Sequence, residues 1–288
     1  MSTNALSPLD GGLRCLIVFW AFTAGAGEIP LDTSIVPSIS ALEAAKVKHN
    51  PFAEQITVPF ELSSSLDVGP GNGTAGGLNI QPAIPVSLGE DWKLITRPSL
   101  SVLVTEQPHR KLGLGDIELP TYLTPGSCDK WIWGIGPDLQ APTATEHELG
   151  TGKWSAGPTL GLVYMSGPWV NGILASHVWS FAGESDRDDV SQSTFEPVIS
   201  YNFDNGWYVD FDSTMTADWN APSDKRWTIP VGMDVGKAFQ IGKRSMSVQF
   251  GTYYNVLSAE STGKWLVRLQ VSIIFPKHTE PHQPGTAN

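Results

Sequence analysis

Lys153 to Phe181 decides the reading of this chain. Its first part, Lys153–Tyr164, is KWSAGPTLGLVY, and its second, Trp169–Phe181, is WVNGILASHVWSF. In the first part Trp154, Ala156, Pro158, Leu160, Leu162 and Tyr164 share one parity, and Ser155, Gly157, Thr159 and Gly161 share the other. Side chains alternate faces along a strand, so this strand has one apolar face and one small, polar face. The short connection Met165–Pro168 turns the two parts into a hairpin. Aromatics gather near the strand ends: Trp154, Tyr164, Trp169, Trp179 and Phe181. An indole sits well at the headgroup level of a bilayer, which gives a membrane-crossing strand a use for terminal Trp. A soluble sandwich also alternates, so the rest of the chain has to repeat the pattern.

It does. Ile56, Val58, Phe60 and Leu62 share a face, and after a Gly-rich loop expected over 68–77, Leu78, Ile80, Ile84 and Val86 do the same. Trp92, Leu94, Leu100 and Val102 point one way, with Lys93 and Arg97 on the other parity. Strands are expected over 113–123 and, through Trp131, Trp133, Ile135 and Leu139, over 131–141. Past the hairpin, Phe195, Ile199 and Tyr201 lead to Asp204-Asn205-Gly206, a tight-turn signal. Trp207, Val209 and Phe211 follow, then Trp227 to Val235, Met246 to Phe250, and Trp265 to Phe275. The pattern predicts an all-β fold: an antiparallel transmembrane β-barrel of about twelve strands, each near the ~9–11 residues a tilted span needs. Short connections (88–91, 165–168, 204–206) mostly alternate with longer ones (68–76, 142–152, 182–193, 217–225), as in barrels with both ends in the periplasm. The connection over 236–244 reads as longer than this rule expects.

Composition agrees. The 288 residues suffice for one barrel domain, and only 16% of them are charged, below the roughly 25% of soluble domains. Plentiful Gly (29) and Pro (22) fit a chain with many turns. A net charge of −11 argues against nucleic acid as a partner. The apolar run Cys15–Ala26 is shorter than the ~20 residues of a membrane helix. With Arg14 before it and Ala24-Gly25-Ala26 at its end, it reads as a secretory signal over residues 1–26. Removal of that signal leaves Cys128 alone, which excludes an internal disulfide. Residues 27–52 are expected to form an N-terminal periplasmic segment, a partial plug or a flexible tail. In it Ser40 and Glu43 are spaced as a capping box for a short helix that Pro51 stops. The barrel is expected over 53–276 and a polar tail over 277–288.

The chain resembles the bacterial family named for the "MetA-pathway of phenol degradation". The matching stretches include LNIQPAIPVSL (Leu78–Leu88), DWKLITRP (Asp91–Pro98), GLGDIELPTYLTP (Gly113–Pro125), WGIGPDLQAPTAT (Trp133–Thr145), GPWVNGILASHVWSFAG (Gly167–Gly183) and RLQVSIIFPK (Arg268–Lys277). They cover nearly all of the chain after the signal. The resemblance implies a cell outer membrane barrel that passes small organic compounds, with aromatic ones as candidates.

The inward parity supplies the candidate site. Its acids are Glu61, Asp116, Glu118, Asp138, Glu196, Asp210, Asp212 and Asp234. Its bases are Lys93, Arg97 and Arg268, and His177 is expected beside them in the pore lining. Carboxylate rings concentrate cations, so one reading is a cation-leaning pore. The other is a structural network that ties charges across a narrow, side-chain-filled lumen. Trp154, Tyr164, Trp169, Trp207, Trp227 and Trp265 are the expected aromatic girdle. His177 next to Ser176 does not make a nucleophile pair, because neighbours in a strand face opposite ways. The scattered His109, His147, His278 and His282 lack metal-ligand spacing. No catalytic residue, metal or cofactor is expected. The partners such a barrel implies are outer-membrane lipid, the barrel-assembly machinery and a small solute. The expected function is a passive channel for small solutes. The alternatives are a non-conducting structural or ligand-binding barrel, or a lipid hydrolase.

Overall fold

The computed structural model describes residues 39–276 apart from positions 70, 71, 107, 108, 128, 243, 260 and 261. The expected signal over 1–26, the polar tail over 277–288 and Cys128 fall outside the described residues. A nine-residue helix, α1 (Ala41–His49), comes first. β1 (Thr57–Val68) is followed by β2 (Gly73–Ile80), β3 (Ile84–Leu88), β4 (Trp92–Thr96) and β5 (Leu100–Thr105). Then come β6 (Lys111–Leu114), β7 (Ile117–Glu118), β8 (Thr121–Pro125) and β9 (Trp131–Ala141). The opening hairpin is β10 (Lys153–Ser166) and β11 (Trp169–Gly183). β12 (Ser191–Asn202), β13 (Trp207–Asp212), β14 (Met215–Asp218), β15 (Trp227–Ile241), β16 (Arg244–Leu257) and β17 (Trp265–Ile274) complete the chain.

Every pairing is antiparallel, and β17 pairs with β1 from Ile274↔Thr57 to Trp265↔Leu66, so the sheet closes on itself. β2 and β3, β4 and β5, β6 to β8, and β13 and β14 each continue one pass, so the seventeen segments trace twelve passes. Closure leaves no edge strand with unpaired backbone, which a membrane interior demands. The breaks between β2 and β3, β4 and β5, and β7 and β8 hold Pro82, Pro98 and Pro120, where a missing N–H interrupts the ladder; the further break in the fourth pass, between β6 and β7, falls at Gly115-Asp116. The wall stays joined there by single bridges, such as Ser99 N–H to the Glu118 carbonyl at 2.8 Å. Sequence parity treats these passes as unbroken, because alternation carries no mark of a local break.

Two boundaries differ from expectation. β2 begins at Gly73, inside the stretch read as a Gly-rich loop. Gly76 and Gly77 lie so close to the backbones of β1 and β5 that a Cβ would overlap carbonyl oxygens of Ser63 and Val102. β15 runs through to Ile241, so the connection to β16 is a tight turn and not the long one expected over 236–244. Gly236 looks like a turn residue but lies in the strand, where a side chain would overlap the Tyr208 ring. With this correction the connections at one end are all short (89–91, 126–130, 167–168, 203–206, 242–243), and those at the other are longer over 142–152, 184–190, 219–226 and 258–264 but short at 69–72 and 106–110.

The barrel is apolar outside and polar inside, the inverse of a soluble domain. Leu62, Ile135, Leu160, Met233 and Phe250 are each at least half exposed on the outer face. Ser155, Thr159, Ser200, Asn202, Asp210, Asp234 and Gln249 are buried on the inner one. An apolar belt of this extent is untenable in water and natural in lipid. Aromatic pairs flank it. At the turn end Trp131 meets Tyr164 at 4.7 Å and Trp169 meets Tyr201 at 4.9 Å; at the loop end Tyr254 meets Trp265 at 5.0 Å and Trp219 meets Trp227 at 6.1 Å. Of the expected girdle, Tyr164, Trp169 and Trp207 lie in the turn-end band, and Trp154, Trp227 and Trp265 in the loop-end band. Lys237 reaches over the Trp207 ring at 5.3 Å, keeping its ammonium at the water edge.

Candidate functional site in the lumen

The segment before β1 enters the lumen at the turn end. Its helix starts on a capping box: Glu43 N–H donates to Ser40 Oγ at 3.1 Å, and Ser40 N–H to the Glu43 carboxylate at 3.0 Å. Pro51 stops it. Ala44 and Ala45 are fully buried against Tyr208, Ala238 and Ile274, all on the inward parity. Lys48 Nζ lies 3.5 Å from Asp210 and 4.0 Å from Asp212, and sits over the Tyr208 ring. His49 Nε2 is 3.4 Å from Asp210, and its ring packs edge-on against Tyr208. Burial alone would lower the Lys48 pKa. The Asp210 carboxylate, helped by Tyr208 and Asp212, more than offsets this and holds it above the usual lysine value.

A turn then aims an aromatic ring at the opposite wall. Phe52 N–H donates to Asn50 Oδ1 at 3.0 Å, and Ala53 N–H to the Asn50 carbonyl at 3.1 Å. The Phe52 side chain is 1% exposed, among Ile95, Tyr122, Ile132, Val163, Val170, Leu174 and Val198. Gly134 and Gly161 are register partners on β9 and β10. A Cβ at either would come within 2.7 Å and 2.5 Å of the Phe52 ring. The wall is hollowed at that point to admit it.

The inward charges form two groups. Toward β17, Arg268 pairs through two nitrogens with Asp234, approaches Glu61 at 3.5 Å and Asp212 at 3.9 Å, and reaches the Tyr253 hydroxyl at 3.1 Å. Tyr253 also donates to Asp234. A fork-shaped guanidinium can satisfy several carboxylates at once. The second group crosses the lumen: Arg97 on the third pass donates to Glu196 on the eighth at 3.2 Å and to Gln81 at 3.2 Å. Glu118 accepts from Gln140 at 3.2 Å, and Asp138 is buried beside the same narrow cleft. Lys93 stands apart, 3.8 Å from Glu54 near the turn end.

Two expected pore residues do other things. Asp116 pins the 142–152 loop, accepting from Thr151 N–H at 2.6 Å, Thr151 Oγ at 2.9 Å and Ala144 N–H at 3.1 Å. His177 does not line the pore. It shares parity with the exposed Trp169, Ile173, Trp179 and Phe181, and its ring lies 4.1 Å from that of Trp179 on the outer face. The inward neighbour is Ser176. His177 Nδ1 instead meets Ser193 of the adjacent strand at 2.7 Å, and the Trp219 indole N–H donates to the same hydroxyl at 2.8 Å. His177 Nε2 has no hydrogen-bond partner among the described residues, so no third group orients the ring.

Sequence reasoning did not single out Lys48, His49, Phe52, Tyr122 or Tyr253. Gly134 and Gly161 lie on inward parities, but only their register shows the hollow that Phe52 fills, so single strands carry no signal for it.

No family model and no curated protein matches the chain. Solved structures do. An outer membrane channel from Pseudomonas putida aligns over 77% of this chain and 95% of its own, with 16% identity and a TM-score of 0.59. The chain shares that fold. The NanC porin aligns over 76% of this chain and 98% of its own, at 9% identity and TM-score 0.49. The outer membrane phospholipase A of Escherichia coli aligns over 76% and 89%, at 11% identity and TM-score 0.43.

Proposed function

We propose that this protein is a passive outer-membrane channel for small solutes, closed at rest by its own N-terminal segment. The observation that carries the reading is an inside-out barrel whose polar lumen is occupied by a separable stretch of chain. A structural post would more simply fill its lumen from its own wall, by side chains that alternate inward. Here the filling at the turn end is α1 and Phe52, joined to the barrel only through the chain leading into β1. The fold shared with a solved outer membrane channel supports the reading, as does the resemblance to the MetA-pathway family, whose solutes would be small organic compounds. On this reading residues 1–26 are removed on export, the chain enters the lumen from the periplasm, and the assembly machinery inserts the barrel.

Conductance in a planar bilayer tests it. The chain from residue 27 onward should give low, intermittent current, and the same chain lacking residues 27–52 should give stable steps with cation preference. A truncated barrel that inserts and stays silent would establish the non-conducting alternative. The His177–Ser193 contact on the lipid face is the one observation on the side of a lipid hydrolase. Phospholipid hydrolysis by the refolded chain that disappears in His177→Ala would establish that activity, and we expect none.

A further inference from the structure

The Phe52 socket is an apolar ring site in a largely polar lumen, separate from the apolar contact of α1 with Tyr208, Ala238 and Ile274. Seven buried apolar side chains from β4, β8, β9, β10, β11 and β12 converge on it. Two register-paired glycines leave space that any side chain would fill. Tyr122 closes it edge-on, with ring centroids 5.4 Å apart at 84°, and its hydroxyl is held by Thr159 at 3.0 Å. All this surrounds a single ring carried on the segment before β1. An apolar cavity of benzene size in a protein stays dry and takes up small aromatic molecules when its own occupant is missing.

We propose that the socket is the channel's solute-recognition site, and that an uncharged monocyclic aromatic solute binds there by displacing Phe52. This deepens the channel reading and rests on it. Phe52 acts as an internal ligand. While it is seated, the apparent affinity for a solute is reduced by the fraction of molecules with the socket vacant. Once a solute ring is seated, the plug is held only by α1 and the Glu54–Lys93 pair, so solute concentration itself favours opening. The surroundings select charge. Tyr122 and Leu174 also border the narrow cleft that holds Glu118, Asp138 and Glu196. Asp138 is 5% exposed, and its Oδ1 lacks a hydrogen-bond partner among the described residues. A ring with one neutral donor at its edge suits that cleft, whereas a ring carrying a carboxylate adds to Glu118, Asp138 and Glu196, against which Arg97 is the one cation described there and is already paired with Glu196.

The test is binding, read by fluorine NMR on the refolded full chain in micelles, with 4-fluorophenol and 4-fluorobenzoate as probes. Phe52→Ala should bind 4-fluorophenol saturably and about tenfold or more tighter than wild type. Phe52→Ala/Gly161→Leu, which refills the hollow, should show only the partitioning of probe into detergent. Phe52→Leu, which keeps a seated side chain, guards against misfolding of the double variant and should bind no better than wild type. 4-Fluorobenzoate should bind none of them saturably. Equal 4-fluorophenol binding by Phe52→Ala and the refilled variants would overturn the proposal, as would a preference for the carboxylate. The readout needs no current, so a silent bilayer would sink the channel reading and leave this result standing. A conducting barrel that ignores 4-fluorophenol would sink only the solute site.

Discussion

On the β13–β17 wall the N-terminal segment is held largely by charge, and on the wall of β4 and β8 to β12 by an apolar ring. The first wall meets it with Asp210 and Asp212, backed by the Arg268–Asp234–Tyr253 network. The second meets it with a hollow between Gly134 and Gly161. These holds answer to different influences. An ion pair between buried partners responds to protonation and to loss of either member, because the survivor is left uncompensated. An apolar socket is nearly indifferent to pH and salt, and responds to anything of the right shape. On the proposed reading, a plug with both holds would stay shut under ordinary changes of medium and still yield to a specific competitor.

The comparison can be broken from either side. The largest effect is expected from Arg268→Ala, which strands the buried Asp234 and should cost roughly 3–5 kcal/mol of barrel stability in urea unfolding. A smaller loss would mean that water reaches that network. Phe52→Ala should weaken docking of the segment by about 3 kcal/mol, the lower range for truncating a buried Phe. Protease accessibility of the segment before β1 should rise accordingly, while unfolding of the barrel itself stays unchanged. Arg97→Gln removes a cross-lumen pair that is mostly buried but keeps a donor for Glu196, so its stability cost should be about 1–2 kcal/mol. Its readout is the reversal potential under a salt gradient, which should move toward stronger cation preference.

The smallest effect is that of pH on the charged wall. The Lys48 pKa is raised in the folded state, so its pairing contributes fully below the ordinary lysine value and is lost as pH rises through the raised one. Protease accessibility of the segment should therefore increase only in strongly alkaline solution, and Lys48→Met should abolish that dependence. Release that begins near neutral pH would place the latch elsewhere.

Much of this was legible in the chain. Alternation over Lys153–Phe181 gave the faces of β10 and β11, and Asp204-Asn205-Gly206 marked a tight turn, because both signals are local. Ser40 and Glu43 announced the capping box for the same reason. The misreadings occurred where one residue type serves two purposes. Glycines at 73–77 and at 236 read as loop, yet they lie in strands that a neighbouring backbone or the Tyr208 ring approaches closely. The expectation that His177 lines the lumen fails because its parity with Trp169 and Trp179 puts it outside.

By itself the sequence determined the barrel and its lipid-facing surface and put most of the strand charges on the inward parity, since each follows from a period of two along single strands. Only the tertiary structure decided which charges meet. Arg97 and Glu196 are 99 positions apart, and Arg268 and Glu61 are 207 apart, joined by barrel closure and not by any pattern in the chain. The seat of Phe52 was decided in the same way. A lone aromatic after Asn50-Pro51 becomes a plug only because two glycines on different strands fall into register across from it, and register is a property of the closed sheet.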